Sequence, residues 1–235
     1  MAFHYSPKIT TDGLSIYLDA ANAYSYSGSG SDWYDIGRRG ASGSMQAGFA
    51  YDSASKSFYN ASGVSTTATW ITMTPTLSIS DQSKYSLEFV VRLRPNAENQ
   101  YHSLCGPGTT SSPWVGIYGS PTSWYMFFRD ASTSTYINSS TITSYNIYSK
   151  AATLCFTFGI DRTVSFYLNG SLISSALAPD TSLTINMLAG GYFSGTHLNR
   201  WPLQGYFYMF RMYNKTLDAA EVSKNHLALS SRFGI

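Results

Sequence analysis

The chain has 235 residues, 12% of them charged and 16% aromatic, with a formal net charge of +2. At this length roughly 70–75% of the unfolded surface can be buried, so a core needs neither disulfide nor metal. So weak a charge argues against nucleic acid as a partner, and no apolar run is long enough to cross a bilayer. The opening residues, Met1 to Lys8, show no basic n-region and no apolar h-region, so no signal peptide is predicted and synthesis in a cytoplasm is expected.

Asp12-Gly13 marks a turn, after which Leu14, Ile16 and Leu18 alternate with Ser15 and Tyr17 as a first strand. A polar loop follows, carrying Tyr24 and Tyr26. Its Gly28-Ser29-Gly30 lacks the lysine and the helix that a phosphate loop requires. Trp33, Tyr34 and Ile36 form a short apolar cluster. Residues 41–80 predict short strands around Phe49, Tyr51, Phe58, Tyr59, Trp70 and Ile71. The pattern sharpens at 86–93. There Leu87, Phe89, Val91 and Leu93 make one face and Glu88, Val90 and Arg92 the other, until Pro95 stops the strand. Further strands are predicted around 101–105, 114–118, 124–128 and 145–148, with glycine- and proline-rich turns between some of them.

Residues 153–173 predict a three-stranded meander. Leu154, Phe156 and Phe158 alternate in one strand, and Val164, Phe166 and Leu168 in the next. Asn169-Gly170 supplies the pair that a type I′ hairpin favours, because both central residues take positive φ. Strands at 184–188 and 206–213 follow, separated by a loop at 192–202. Asp218 and Glu221 have capping-box spacing for a helix over 219–228. A short tail, 231–235, is expected to dock through Phe233 and Ile235. Cys105 and Cys155 are expected to be buried, reduced thiols. The pattern predicts one all-β domain over 1–235, a two-sheet antiparallel sandwich with a short C-terminal helix.

Several stretches resemble a known family. The run from Gly13 to Asn22 followed by Trp33-Tyr-Asp-Ile36 resembles the opening of concanavalin A-like (laminin-G-like) jelly-roll domains, most of all those of bacteriophage virion proteins. Ser86 to Pro95 is similar to their first long core strand, and Phe166-Tyr-Leu-Asn-Gly170 to their midpoint hairpin. Gly205 to Asp218, Ala220-Glu-Val222 and Arg232 to Ile235 are similar to their closing strand, helix and tail. The resemblance implies a jelly roll. It also implies a non-enzymatic virion structural protein, decorating a capsid or forming part of a tail fibre. Its expected partners are other virion proteins, further copies of itself and host-surface glycan. A carbohydrate-binding receptor module is the first alternative and a glycoside hydrolase the second, because this sandwich hosts many functions.

Glycoside hydrolases on this sandwich resemble one another in a Glu-x-Asp-x-Glu strand, whose paired carboxylates supply nucleophile and acid. Here Glu88, Glu98 and Glu221 each lack an acidic neighbour two positions away, so no catalytic residue is assigned. Asp12, Asp19, Asp32, Asp35 and Asp161 lie in or beside predicted loops, without the close spacing of a calcium loop; Asp35 and Asp161 read as turn residues. No metal or cofactor is predicted. Aromatic rings beside loops suit the C–H faces of sugars and also protein interfaces. Trp33 and Trp114 are expected in the core. Trp201, flanked by Arg200 and Pro202, is the strongest exposed candidate. It is predicted with Asn199 and Arg200 at a binding surface, with Tyr24 and Tyr26 as further candidates.

Overall fold

The computed structural model describes residues 8–37, 39–46, 48–60, 70–94, 101–108, 113–190, 192–194 and 197–235, without the side chains of 192–200. Within them the chain forms β1 (Leu14–Asp19), β2 (Asp32–Tyr34), β3 (Ser42–Met45), β4 (Ala50–Asp52), β5 (Ser57–Asn60) and β6 (Ile71–Ile79). Next come β7 (Tyr85–Leu93), β8 (Tyr101–Gly106), β9 (Trp114–Ser120), β10 (Ser123–Arg129), β11 (Tyr136–Asn138) and β12 (Ala152–Phe158). Last are β13 (Thr163–Leu168), β14 (Ser171–Leu177), β15 (Leu183–Leu188), β16 (Tyr192–Ser194), β17 (His197–Arg200), β18 (Gly205–Tyr213) and the helix α1 (Ala219–Phe233).

Two eight-stranded antiparallel sheets result. The first runs β14-β13-β12-β7-β18-β5-β4, and the second β11-β10-β9-β8-β15-β6-β3-β2. In the first, β1 and β5 share one edge of β18: β5 pairs with its start (Phe58 opposite Phe207) and β1 with its end (Leu18 opposite Phe210). The expected meander forms as β12-β13-β14. Asn169 and Gly170 take φ of 48° and 80°, positive values that asparagine tolerates and glycine, lacking a Cβ, adopts freely.

Period-two alternation sends one face of each sheet into a shared core. Leu87, Phe89, Leu154, Phe156, Phe166, Phe207 and Phe210 come from the first sheet. Trp33, Ile71, Val115, Ile117, Trp124, Met126, Phe128 and Ile185 come from the second. The aromatic rings meet edge to face, as in Phe156 against Phe166 at 5.7 Å and 72°. The first sheet's other face is closed by α1, whose Val222 and Leu229 are buried with Val90, Tyr208, Met209 and Tyr213. Asp218 caps α1 with Glu221 in a capping box, and Gly234 ends it at φ 65°.

The structure departs from expectation in four places. Residues 145–148 form turns rather than a strand; Ile147 is nonetheless core, and the Tyr145 carbonyl accepts the Trp124 indole N–H at 2.7 Å. β6 is nine residues long, not a short strand. The expected loop at 192–202 contains the paired strands β16 and β17. The helix continues to Phe233, so part of the expected tail is helical, and Phe233 docks on Tyr208 at 5.2 Å. Cys105 and Cys155 are free and buried, and burial pushes both thiols well up.

Candidate functional site

On the second sheet Val115 and Ile117 point into the core, so Trp114, Gly116 and Tyr118 point out. The same alternation turns Tyr101 and Ser103 of β8, and Tyr125, Phe127 and Arg129 of β10, to the outside. Register then builds rows across the strands. Tyr101, Tyr118 and Tyr125 stand directly opposite one another, and Trp114, Arg129 and Tyr136 form a parallel row. Gly116 between them is obligatory, because a Cβ there would lie 2.7 Å from the Phe127 ring and 2.5 Å from the His102 carbonyl. Phe127 therefore lies across β9 and meets Trp114 edge to face at 4.5 Å. Asp130 folds the β10–β11 hairpin that brings Tyr136 in, accepting the backbone N–H groups of Thr133 and Thr135 at 2.8 and 2.7 Å.

Trp201 completes this ledge. Its indole stacks on Trp114 (5.4 Å, 14° between planes) and lies 4.9 Å from the Tyr101 ring. Its carbonyl accepts the Ser103 N–H at 3.0 Å, continuing the edge of β8. Its φ is 70°, in the left-handed region that a bulky side chain avoids. Trp201, Tyr101, Tyr118, Tyr125 and Tyr136 are all partly exposed, while Trp114 and Phe127 beneath them are buried. The Arg129 guanidinium lies over Tyr136 at 5.1 Å. Burial pushes the Tyr125 phenol up to about 12 and raises Tyr101, so these hydroxyls stay neutral near pH 7.

The same face continues across β15, β6 and β3 as a hydroxyl surface. Ile71, Met73 and Leu77 face the core, leaving Thr72, Thr74 and Thr76 outward. Ser44 and Ser42 stand opposite Thr72 and Thr74. A hollow of about 400 Å³ opens here, lined by Trp70, Thr72, Thr74, Thr76, Pro107 and Asn186 among others. Among the described residues, Oδ1 of Asn186 is buried without a hydrogen-bond partner. This acceptor had no signal in the sequence.

The remaining candidates fall elsewhere. The side chains of Asn199 and Arg200 lie outside the described residues, so only Trp201 of that trio is placed. Tyr24 is 88% exposed but belongs to the β1–β2 loop, against the first sheet. Tyr26 is not a surface residue: it is buried edge-on against Phe58 at 4.8 Å, with its hydroxyl donating to the Gly30 carbonyl at 2.9 Å. Trp33 is core, as expected, whereas Trp114 is buried on the outer face, away from the core between the sheets. Glu88 faces α1, fully buried, with Arg211 Nε 3.2 Å from its Oε2 and Asn225 donating to it at 3.4 Å. Burial there raises its carboxyl. Glu221 caps α1, and Glu98 lies outside the described residues. Asp35 and Asp161 accept backbone N–H groups in turns, and Asp12 pairs with Lys215. Among the described residues no three His, Cys, Asp or Glu side chains gather as metal ligands, and no helix is long and apolar enough to cross a membrane.

No family model and no curated protein matches the chain. Solved structures do. The binding domain of Paraclostridial Mosquitocidal Protein 1 is similar at a TM-score of 0.62 and 16% identity, over 92% of this chain and 52% of that one. Trypanosoma rangeli sialidase in complex with sialic acid is similar at 0.59 and 16%, over 94% and 33%. A mutant of that sialidase displaying trans-sialidase activity is similar at 0.63 and 16%, over 96% and 34%. The chain thus spans about half the length of the first and about a third of the sialidases. At these identities the likeness establishes a shared two-sheet, jelly-roll-like sandwich.

Proposed function

We propose that the protein is a non-catalytic glycan-binding module whose ligand lies along the outer face of the second sheet. The observation that carries this reading is Trp201. A bulky residue held at φ 70° and stacked on Trp114 is strained, and such strain persists where surrounding structure enforces it, commonly at binding surfaces. Tyrosine and tryptophan offer rigid amphipathic area at small entropic cost, with apolar rings for sugar C–H faces and polar tips for hydroxyls. The threonines of β6 and Asn186 Oδ1, unpartnered among the described residues, supply polar contacts beyond the rings.

The dimensions favour a chain over a single sugar. From β11 to β3 is six strand steps, which at ~4.8 Å each gives a face about 29 Å long. Among the similar structures one is a binding domain, and one is a sialidase in complex with sialic acid of which this chain spans a third; both are compatible with the reading in kind. The non-catalytic part of the proposal is supported by Glu88, which the helix covers and Arg211 pairs. Placement on a virion, the role first expected, has the sequence resemblance alone behind it; a virion would be one mounting for such a module.

The test is a glycan array followed by titration calorimetry with a length series of any hit. Affinity should rise with chain length over several sugar units. Trp201→Ala or Tyr101→Ala should weaken it by about tenfold or more, the scale of an interface hot spot. Among the described residues of the ledge Arg129 carries the charge, so raising salt should change affinity little. Binding that ignores both substitutions would remove the ledge from the account.

A further inference from the structure

A second recess lies on the opposite side of the sandwich. Ile16 and Leu18 of β1 enter the core, so Tyr17 and Asp19 point outward, where the end of α1 meets them. With the 21–24 and 54–56 loops they line a hollow of about 750 Å³, a volume normal for a small-molecule site. Its floor is fixed. Buried Asp19 accepts from both Arg232 terminal nitrogens, from the Tyr17 hydroxyl at 3.0 Å and from the Ala21 N–H at 3.0 Å. The rim is pre-organised too, with the Tyr24 N–H bound to Asn22 Oδ1 and the Asp19 N–H bound to Ser25 Oγ, both at 3.0 Å.

What the recess leaves unused is one-sided. Four hydrogen bonds saturate Asp19, so its acceptor capacity is consumed inside the protein. Among the described residues, the Asn22 amide NH₂ and the exposed Lys56 ammonium make no hydrogen bond or ion pair, which leaves donors facing the opening. The lining charge is one Lys and one Arg against one Asp, net +1. Above it stands the Tyr24 ring, 88% exposed. We propose that this recess binds a monosaccharide-sized ligand bearing one carboxylate, the ring against Tyr24 and the carboxylate toward Lys56 and Asn22. This site is independent of the ledge, because the outer faces of the two sheets look in opposite directions.

Titration calorimetry with glucuronate, glucose and acetate tests it on the intact chain. Glucuronate should bind saturably, and glucose and acetate each at least about tenfold more weakly, the scale of one charge-assisted hydrogen bond. Tyr24→Ala and Lys56→Gln, both at exposed positions, should each weaken glucuronate about tenfold at unchanged thermal stability, and added salt should weaken it as well. Trp201→Ala should leave it unaltered, which keeps failure here distinct from failure of the ledge. Glucuronate binding no better than acetate, or indifference to Tyr24→Ala and Lys56→Gln, would overturn the proposal.

Discussion

Trp201 carries two opposed energies. Its left-handed backbone costs a residue with a Cβ roughly 1–2 kcal/mol, while its indole gains contact with Trp114 and Tyr101. Two truncations separate these terms. Trp201→Ala and Trp201→Gly both lose the stacking, but only glycine relieves the backbone. The glycine variant should therefore be more stable than the alanine variant by about 1 kcal/mol in urea unfolding, with both equally poor at binding. Equal stabilities would mean that the backbone is not strained as described. The sequence marked Trp201 as an aromatic in a polar loop between Arg200 and Pro202, but its partners were hidden. Tyr101, Trp114 and Tyr136 are far apart in sequence, and only strand register brings them together. Trp114 looked like core because alternation shows which residues share a face, not which face is inward. Glu88 was open to the same ambiguity, which the helix over it resolves.

Among the elements, the turns that clasp the two sheets hold a titratable lock. Asp81, between β6 and β7, accepts from Arg162 Nε at 2.9 Å in the β12–β13 turn and from the Thr181 N–H at 2.8 Å before β15. The Arg162 guanidinium, then the Thr181 N–H, hold its carboxyl well below the usual carboxylate range. A carboxyl depressed in the folded state stabilises above its unfolded value, and that contribution is lost as pH falls through the folded value. Stability should thus decline as pH falls below about 4, and Asp81→Asn should be less stable at pH 7 with a shallower acid decline. Urea midpoints across that range decide it; parallel curves for the two proteins would show that the clasp contributes nothing. Elements were legible where alternation was clean, as in β7, β12 and β13, or where a turn pair forced the chain, as at Asn169-Gly170. β6 was obscured because its outward face is threonine and it contains Pro75, so it read as a polar segment. At 145–148, Tyr145 and Ile147 mimic strand alternation, yet their apolar groups come from a turn that plugs the core.

At the scale of the whole molecule, one aromatic core joins two sheets, and each sheet keeps an outer face with its own task. The first carries α1 and the second the ledge. Phe156 sits at the centre of that core, edge-on to both Phe89 at 6.0 Å and Phe166 at 5.7 Å. Phe156→Ala should cost about 3–5 kcal/mol in chemical unfolding, through lost burial and the cavity left behind. A cost below about 1 kcal/mol would contradict the packing described. The central claim, that glycan meets the outer face of the second sheet, is tested most directly by following the indole N–H signals of the five tryptophans during titration with the best-binding oligosaccharide. The account predicts saturable shifts for Trp201 and Trp114, with Trp33 and Trp124 unmoved in the core. Saturable binding that leaves Trp201 and Trp114 unmoved would contradict it.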